Sequence, residues 1–263
     1  MDAKDYLVVA LDTNDLEKAC ALVELLKPYV GMFKIGSALF TAHGPAAVNE
    51  ILRRAGPPFL DLKFHDTPRS VAGASRAVSA LDVGAFTVHA LGGIEMMRAA
   101  WDGLSDGLAE RRTLCANPLI FAVTVLTSHN HQSLLRHGLV SGVYCHRFKP
   151  ELAARLEREE VEHRVVSLAV DAQAVGLDGV VVSPQEVAAI RKGCGPDFRI
   201  AAAGIEFQGE VGIGHRRSGG IGQAIRDGAD YIIVGAVVRD RSNPVRIVQG
   251  IIAEIAAAMA ERG

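Results

Sequence analysis

Asp61 and Lys63 stand two residues apart in a segment that otherwise reads as an apolar strand, Phe59-Leu-Asp-Leu-Lys-Phe-His-Asp66. A strand turns successive side chains to opposite faces, so this carboxylate and ammonium are expected to point the same way. Burying an unpaired charge is costly or forces its neutralisation, so an acid and an amine kept together form a structural ion pair or do chemistry. Lys34 and Asp66 extend the pair into an expected alternating row of Lys34, Asp61, Lys63 and Asp66. In such a row each ammonium has carboxylate neighbours, and opposite charge close by favours the ionised form. A lysine held protonated is a poor Schiff-base nucleophile, which needs a free amine. It is a good proton donor and a good partner for developing negative charge. These residues suit a reaction that passes through a carbanion.

Positioning such a row requires strands. Eight short apolar runs recur along the chain: Leu7–Asp12, Met32–Gly36, Phe59–Asp66, Ala85–Ala90, Leu119–Thr127, Gly179–Ser183, Arg199–Gly204 and Tyr231–Gly235. Continuous rather than alternating hydrophobicity suits parallel strands covered on both faces. Amphipathic helical segments lie between them. Asn14-Asp15 can cap a helix through Leu26, Ser183-Pro184 with Glu186 can cap one through Lys192, and Asn243-Pro244 can open the last helix. The order predicts an α/β fold, a single-domain (β/α)8 TIM barrel over residues 1–263. A doubly wound dinucleotide fold would want GxGxxG after the first strand, which ends in Leu11-Asp12-Thr13 instead. The glycines of Gly212–Gly214 and Gly219–Gly222 come too late for that role. In a barrel, Asp12, Lys34, Asp61, Lys63, Asp66, His89, Thr127, Ser128 and Ser183 all fall near the C-terminal strand ends, the rim where barrel chemistry resides. By alternation His65 faces with Asp61 and Lys63, or packs beneath them; His89 serves the site or fills a polar rim position.

Composition narrows the class further. With 263 residues, 49% of them hydrophobic, the chain can bury a large core. Net charge is −2, and no Lys/Arg run approaches the density of a nucleic-acid surface, so that partner is not expected. The apolar stretches are too short for a bilayer, and no signal-peptide core follows Met1. Cys20, Cys115, Cys145 and Cys194 are scattered without a CxxC pair, which argues against zinc or a disulfide framework and for a reducing cytoplasm.

The motif Asp61-Leu-Lys63-Phe-His-Asp66, followed by Thr-Pro, resembles the signature of the orotidine 5′-phosphate decarboxylase family, which makes UMP in pyrimidine synthesis. Ala10-Leu-Asp12, Phe33-Lys34-Ile-Gly36, Val125-Leu-Thr127-Ser128, Gly176-Leu-Asp-Gly-Val180 and Gly228-Ala-Asp-Tyr231 are similar to its bacterial form. The related 3-keto-L-gulonate 6-phosphate decarboxylases share the DxKxxD strand, but hold Mg²⁺ with an acidic residue on the second strand. That position is Lys34 here, so the resemblance implies metal-free decarboxylation without a cofactor. It further implies that Asp61 faces the substrate carboxylate, that Lys63 protonates C6 as carbon dioxide leaves, and that Lys34 bridges the ribose and the charge row. Asp12 would bind ribose hydroxyls, and Thr127 with Ser128 would read the pyrimidine edge. The chain would form a homodimer in which Asp66 and Ser70 reach the partner's site.

Departures from the family concentrate where it holds phosphate. The family reads Gly-Arg-Pro after the last strand and Pro-Gly-Ile-Arg after the seventh; this chain has Gly235-Ala236-Val237 and Ala203-Gly204-Ile205-Glu206. A family glutamine aligns with His215, and a small serine is replaced by Leu91. Losing a bidentate arginine removes a strong charge-assisted contact, and Glu206 would add repulsion. Backbone N–H groups at Gly204, Gly235 and Ala236 remain, with Arg239, Arg241, His215, Arg216 or Arg217 as sources of charge. The segment of about 129–163 is longer than the family norm and is expected to be a polar flap after the fifth strand. It holds or borders His129, His131, His137, Cys145, His146 and His163, which leaves a metal site as the minor alternative, and its charge run Arg155–Arg164 reads as a solvated helix face. Two other functions stay open at this point: a paralogous decarboxylase of a related carboxylated substrate, and a non-catalytic barrel that binds a nucleotide.

Overall fold

The computed structural model describes residues 2–111, 117–142, 149–207 and 215–262, together with the backbone of Glu210 and Val211. Cys115, Cys145, His146 and Gly212–Gly214 lie outside the described residues. Eight parallel strands close into a barrel: β1 (Leu7–Ala10), β2 (Met32–Gly36), β3 (Phe59–Phe64), β4 (Ala85–His89), β5 (Leu119–Val123), β6 (Gly179–Val182), β7 (Arg199–Ala203) and β8 (Tyr231–Val234). Each pairs with its neighbours in chain order, and β8 returns to β1. Every predicted run contains one of these strands.

The caps act as the sequence suggests. Asp15 accepts the Lys18 amide at 3.0 Å and opens the helix Leu16–Leu26. Ser183 and Glu186 form a reciprocal capping box, with the Ser183 amide 3.1 Å from Glu186 Oε2. Asn243 accepts the Arg246 amide at 3.1 Å at the start of the helix Pro244–Arg262. Each such cap satisfies an amide that the first helical turn leaves without a partner.

Period-two alternation sorts the strand residues into two layers. Outward-facing Val9, Leu11, Ile35, Leu60, Phe86 and Val88 pack under the helices in the larger core. Full burial of each such side chain contributes about 1.5–3 kcal/mol. Inward-facing Val8, Phe59, Ala85, Phe121, Ala201 and Ile233 fill the barrel itself. The Phe121 ring lies 5.3 Å from that of Phe59 and meets Tyr231 edge-on at 5.9 Å. One or two steps further along the same inward faces the residues become Asp12, Lys34, Asp61, Thr87 and His89. These packed rings form an apolar floor under a polar rim.

Two features depart from the sequence reading. Pairing of β3 with β4 slips between Leu60 and Phe64, so that Leu60 faces Phe86 and Phe64 already faces Val88. Lys63 lies in this bulge at φ +52°, and alternation does not carry past it. His65 consequently leaves the barrel interior, becomes exposed and stacks on His89 at 5.1 Å. Second, the described part of the expected flap is largely helical. Asn130 caps a helix His131–Arg136, and residues 150–162 are the first half of the helix Pro150–Ala174; of its charge run only Arg155, Arg158 and His163 are exposed, and the rest is partly covered rather than a solvated face. His131 is buried against Glu160, at 2.7 Å, and Glu160 also accepts the amides of Ser141 and Gly142, so one carboxylate ties the intervening turn to the long helix.

Candidate active site

The charges meet. Lys34 Nζ lies 3.0 Å from Asp61 Oδ2 and 3.3 Å from Asp12 Oδ1, and Lys63 Nζ lies 2.8 Å from the same Asp61 oxygen. The side chains of Lys34 and Asp61 are 8% and 11% exposed, whereas Lys63 is 36% exposed and faces the cavity. The order within one chain is thus Asp12–Lys34–Asp61–Lys63. Asp66, expected to end the row, does not join it: it is exposed, and its carboxylate accepts the Thr67 amide at 2.6 Å. The bulge at Lys63 ends β3 at Phe64, and Asp66 therefore falls on the loop beyond the rim. Ser70 is also exposed, within the helix Pro68–Val78, and contacts Thr67 at 3.1 Å.

Burial by itself would raise the Asp61 carboxyl, but the ammonium groups of Lys34 and Lys63 outweigh it and hold the group far below the carboxylate range. Burial likewise opposes the Lys34 charge, yet Asp61 and Asp12 keep its pKa above the ordinary lysine value. Both groups are ionised at neutral pH. Gly36 makes part of this possible: a Cβ there would sit 2.8 Å from Asp12 Oδ1.

Thr87, on β4, is a partner that the sequence reading missed. Its hydroxyl donates to Asp61 Oδ1 at 3.0 Å and accepts the Lys63 amide at 2.8 Å, and the residue has no solvent exposure. The signal was the inward parity it shares with Ala85 and His89.

These groups line a cavity of about 510 Å³ at the C-terminal end of the barrel. Thr127, Gly204, His215, Gly235, Ala236 and Arg239 complete its polar wall; Val123, Val125, Val181 and Ile233 supply the apolar one. Thr127 Oγ1 and His215 Nδ1 are 2.5 Å apart. Gly204 needs its glycine, since φ is +84° and a Cβ would meet the Arg217 carbonyl at 2.8 Å. Ser128 is exposed and is not part of the lining, because the chain turns outward after Thr127. Ser183 is used as a cap. His89 is buried at the rim, and burial, with His65, Lys63 and His129 adding to it, lowers its pKa to about 4. A larger cleft of about 770 Å³ lies beside the site, between the helix Pro150–Ala174 and residues 184–186 and 216–220, and holds none of the charge row. Among the described residues no group of three or more His, Cys, Asp or Glu side chains is placed to hold a metal ion. No described helix is long and apolar enough to cross a membrane.

The model of the orotidine 5′-phosphate decarboxylase / HUMPS family matches residues 5–251. The chain belongs to this family. It is 42% identical over 255 residues to the orotidine 5′-phosphate decarboxylase of Moorella thermoacetica, covering 97% of this chain and 94% of that protein. The corresponding protein of Syntrophomonas wolfei is 38% identical over 255 residues, covering 97% and 99%. Among solved structures, orotidine 5′-phosphate decarboxylase from Lactobacillus acidophilus superposes with a TM-score of 0.75 at 29% identity, covering 95% of this chain and 98% of that one.

For a member of this family, the wall around Gly235 and Ala236 is the part with the fewest obvious cations. Arg217 is committed elsewhere: it forms a buried ion pair with Glu186 and donates to the carbonyls of Val125, Leu126 and His129. Arg216 faces the neighbouring cleft. Burial pushes the His215 imidazole down, with Asp12 pulling weakly the other way, so at neutral pH it lines the cavity uncharged. Glu206, expected to repel an anion, sits in the strand Ile205–Phe207 of a small separate sheet and outside the lining. Arg239, one helical turn beyond Ala236 in the short helix Ala236–Arg239, reaches the cavity wall.

Proposed function

We propose that the protein decarboxylates orotidine 5′-monophosphate to UMP, with Lys63 as the proton donor. Family membership carries the reaction, and the Asp12–Lys34–Asp61–Lys63 row in one cavity supports the assignment of roles. As the bond from C6 to the carboxylate carbon breaks, its electron pair stays on C6 and carbon dioxide departs. Lys63 then transfers an ammonium proton to C6 and is left as a neutral amine, which solvent reprotonates at its exposed edge. Asp61 accepts Lys34 and Lys63 on one oxygen and Thr87 on the other, so neither lysine has to be recruited when the charge develops. Donors already aimed at the developing charge need no reorganisation, which is the main source of electrostatic catalysis.

Asp12 and Lys34 bind the ribose side of the substrate, Thr127 reads the pyrimidine without Ser128, which lies outside the lining, and the backbone of Gly204, Gly235 and Ala236 with His215 faces the phosphate. Arg239 supplies the cation there in place of an arginine at position 236. Its guanidinium donates to the Asp12 carbonyl at 2.8 Å and is held by Asp240 at 2.7 and 2.9 Å, so it is already ordered beside the cavity. Asp66 and Ser70, exposed and outside the row, contribute to a second copy's site in a homodimer. The scattered thiols, with Cys20 and Cys194 free, suit a cytoplasmic setting.

The test is loss of orotidylate ultraviolet absorbance on incubation with the purified protein. The wild type turns over, and activity survives EDTA. Lys63→Ala loses roughly a thousandfold or more in kcat, as removal of a general acid and its charge requires. A wild type that leaves orotidylate unchanged would refute the assignment.

A further inference from the structure

Lys63 occupies a backbone conformation that lysine rarely adopts. Its φ of +52° lies in the left-handed region, where a side chain crowds its own carbonyl, and it sits in the bulge that separates β3 from β4. Such a conformation persists only where neighbours over-determine it, and such sites cluster where geometry serves function. Here the group that holds the backbone of Lys63 itself is a hydroxyl. Thr87 has one proton and gives it to Asp61 Oδ1; its lone pair takes the Lys63 amide proton that the bulge removes from the β3–β4 ladder. Amide, hydroxyl and carboxylate thus form one directed chain through the fully buried Thr87, running from the backbone of Lys63 to the ion that its own ammonium contacts. Both ends of the catalytic lysine are anchored to the same carboxylate, one through the side chain and one through Thr87.

We propose that Thr87 is a positioning residue for decarboxylation, its hydroxyl holding Lys63 in the left-handed bulge and fixing the Asp61 carboxylate so that the ammonium is aimed at the carbon to be protonated. This rests on the functional reading above. Thr87 itself is absent from the cavity lining. Its removal should therefore change the rate of the chemical step and leave binding nearly intact. A displacement of the donor by about 1 Å is enough to cost on the order of a hundredfold in rate.

The experiment compares Thr87→Val, which keeps the shape and deletes the hydroxyl, with Thr87→Ser, which restores the hydroxyl without the methyl. In orotidylate turnover, Thr87→Val should lose roughly 10- to 100-fold in kcat with KM within about threefold of wild type, and Thr87→Ser should recover most of the loss. A crystal structure of Thr87→Val, or of Thr87→Ala if the valine variant does not fold, should show Lys63 at negative φ with its ammonium displaced. Unchanged kcat, or a fall in melting temperature alone, overturns the proposal. So does a hydroxyl-free variant that keeps Lys63 at positive φ. Failure of the wild type on orotidylate would instead refute the functional reading, while the Lys63 φ would still decide the role of Thr87.

Discussion

Lys34 and Lys63 converge on a single oxygen, Oδ2 of Asp61, at 3.0 and 2.8 Å, and leave the other oxygen to Thr87. Two like charges brought so close repel, and Asp61 between them offsets that repulsion. The lysine deeper in the barrel is nearly sealed and the outer one opens to the cavity. One carboxylate thus supports an electrostatic wall on one side and a mobile proton on the other.

Asp66 lies outside the row, which makes shared sites directly testable. Lys63→Ala and Asp66→Ala chains, each nearly inactive alone, are mixed under conditions that exchange subunits. If each site takes Asp66 from its neighbour, a mixed dimer contains one intact site, and random pairing restores about a quarter of wild-type activity. Activity that stays at the background of the separate variants would place Asp66 in its own chain's site.

Arg239 is expected to carry affinity for the phosphate. Arg239→Ala should raise KM for orotidylate by roughly 10- to 100-fold, the worth of one hydrogen bond to a charged group. Turnover of the nucleoside orotidine, which has no phosphate, should hardly change. Equal losses on both compounds would assign Arg239 to holding the Asp12 loop.

Arg217 and Glu186 should matter to the fold. Their side chains are 7% and 4% exposed, and removing one partner strands a buried charge. Arg217→Met should cost about 3–5 kcal/mol in urea denaturation, and the double variant with Glu186→Leu should recover a large part of it.

His89 predicts an acid sensitivity with a definite sign. Its folded pKa of about 4 lies below the ordinary 6.5, so between those values the unfolded chain binds more protons than the folded one. Stability from this group is complete above about pH 6.5 and falls as the pH drops toward 4, by an amount of order 2–3 kcal/mol. Thermal melts of wild type and His89→Gln across that window should converge as the pH falls. Parallel curves would show that His89 titrates normally.

The barrel was legible in the sequence because each strand lies in a mainly apolar run and each capped helix begins at a side chain able to accept an amide. The pairing of Lys34 with Asp61 was legible for the same reason: regular alternation delivers both inward. Alternation failed at Lys63, where the bulge sends His65 outward and leaves Asp66 beyond the rim; no residue type in that stretch announces a left-handed lysine. Thr87 escaped notice because a threonine on an apolar strand looks like packing until its neighbour across the bulge is known. The missing phosphate arginine was visible, but choosing Arg239 over Arg217 required the burial of Glu186, a contact between residues far apart in the chain.

The four ions of the row sum to no net charge, and Arg239 brings its own counter-ion in Asp240. At a distance, then, the mouth of this barrel offers an anionic nucleotide almost no pull, and the chain as a whole is slightly negative. Recognition begins only when ligand atoms replace water among groups that already cancel one another. Encounter should run at the unassisted rate for such a molecule and respond weakly to added salt, because the field that drives the chemistry is folded in upon itself until the substrate arrives.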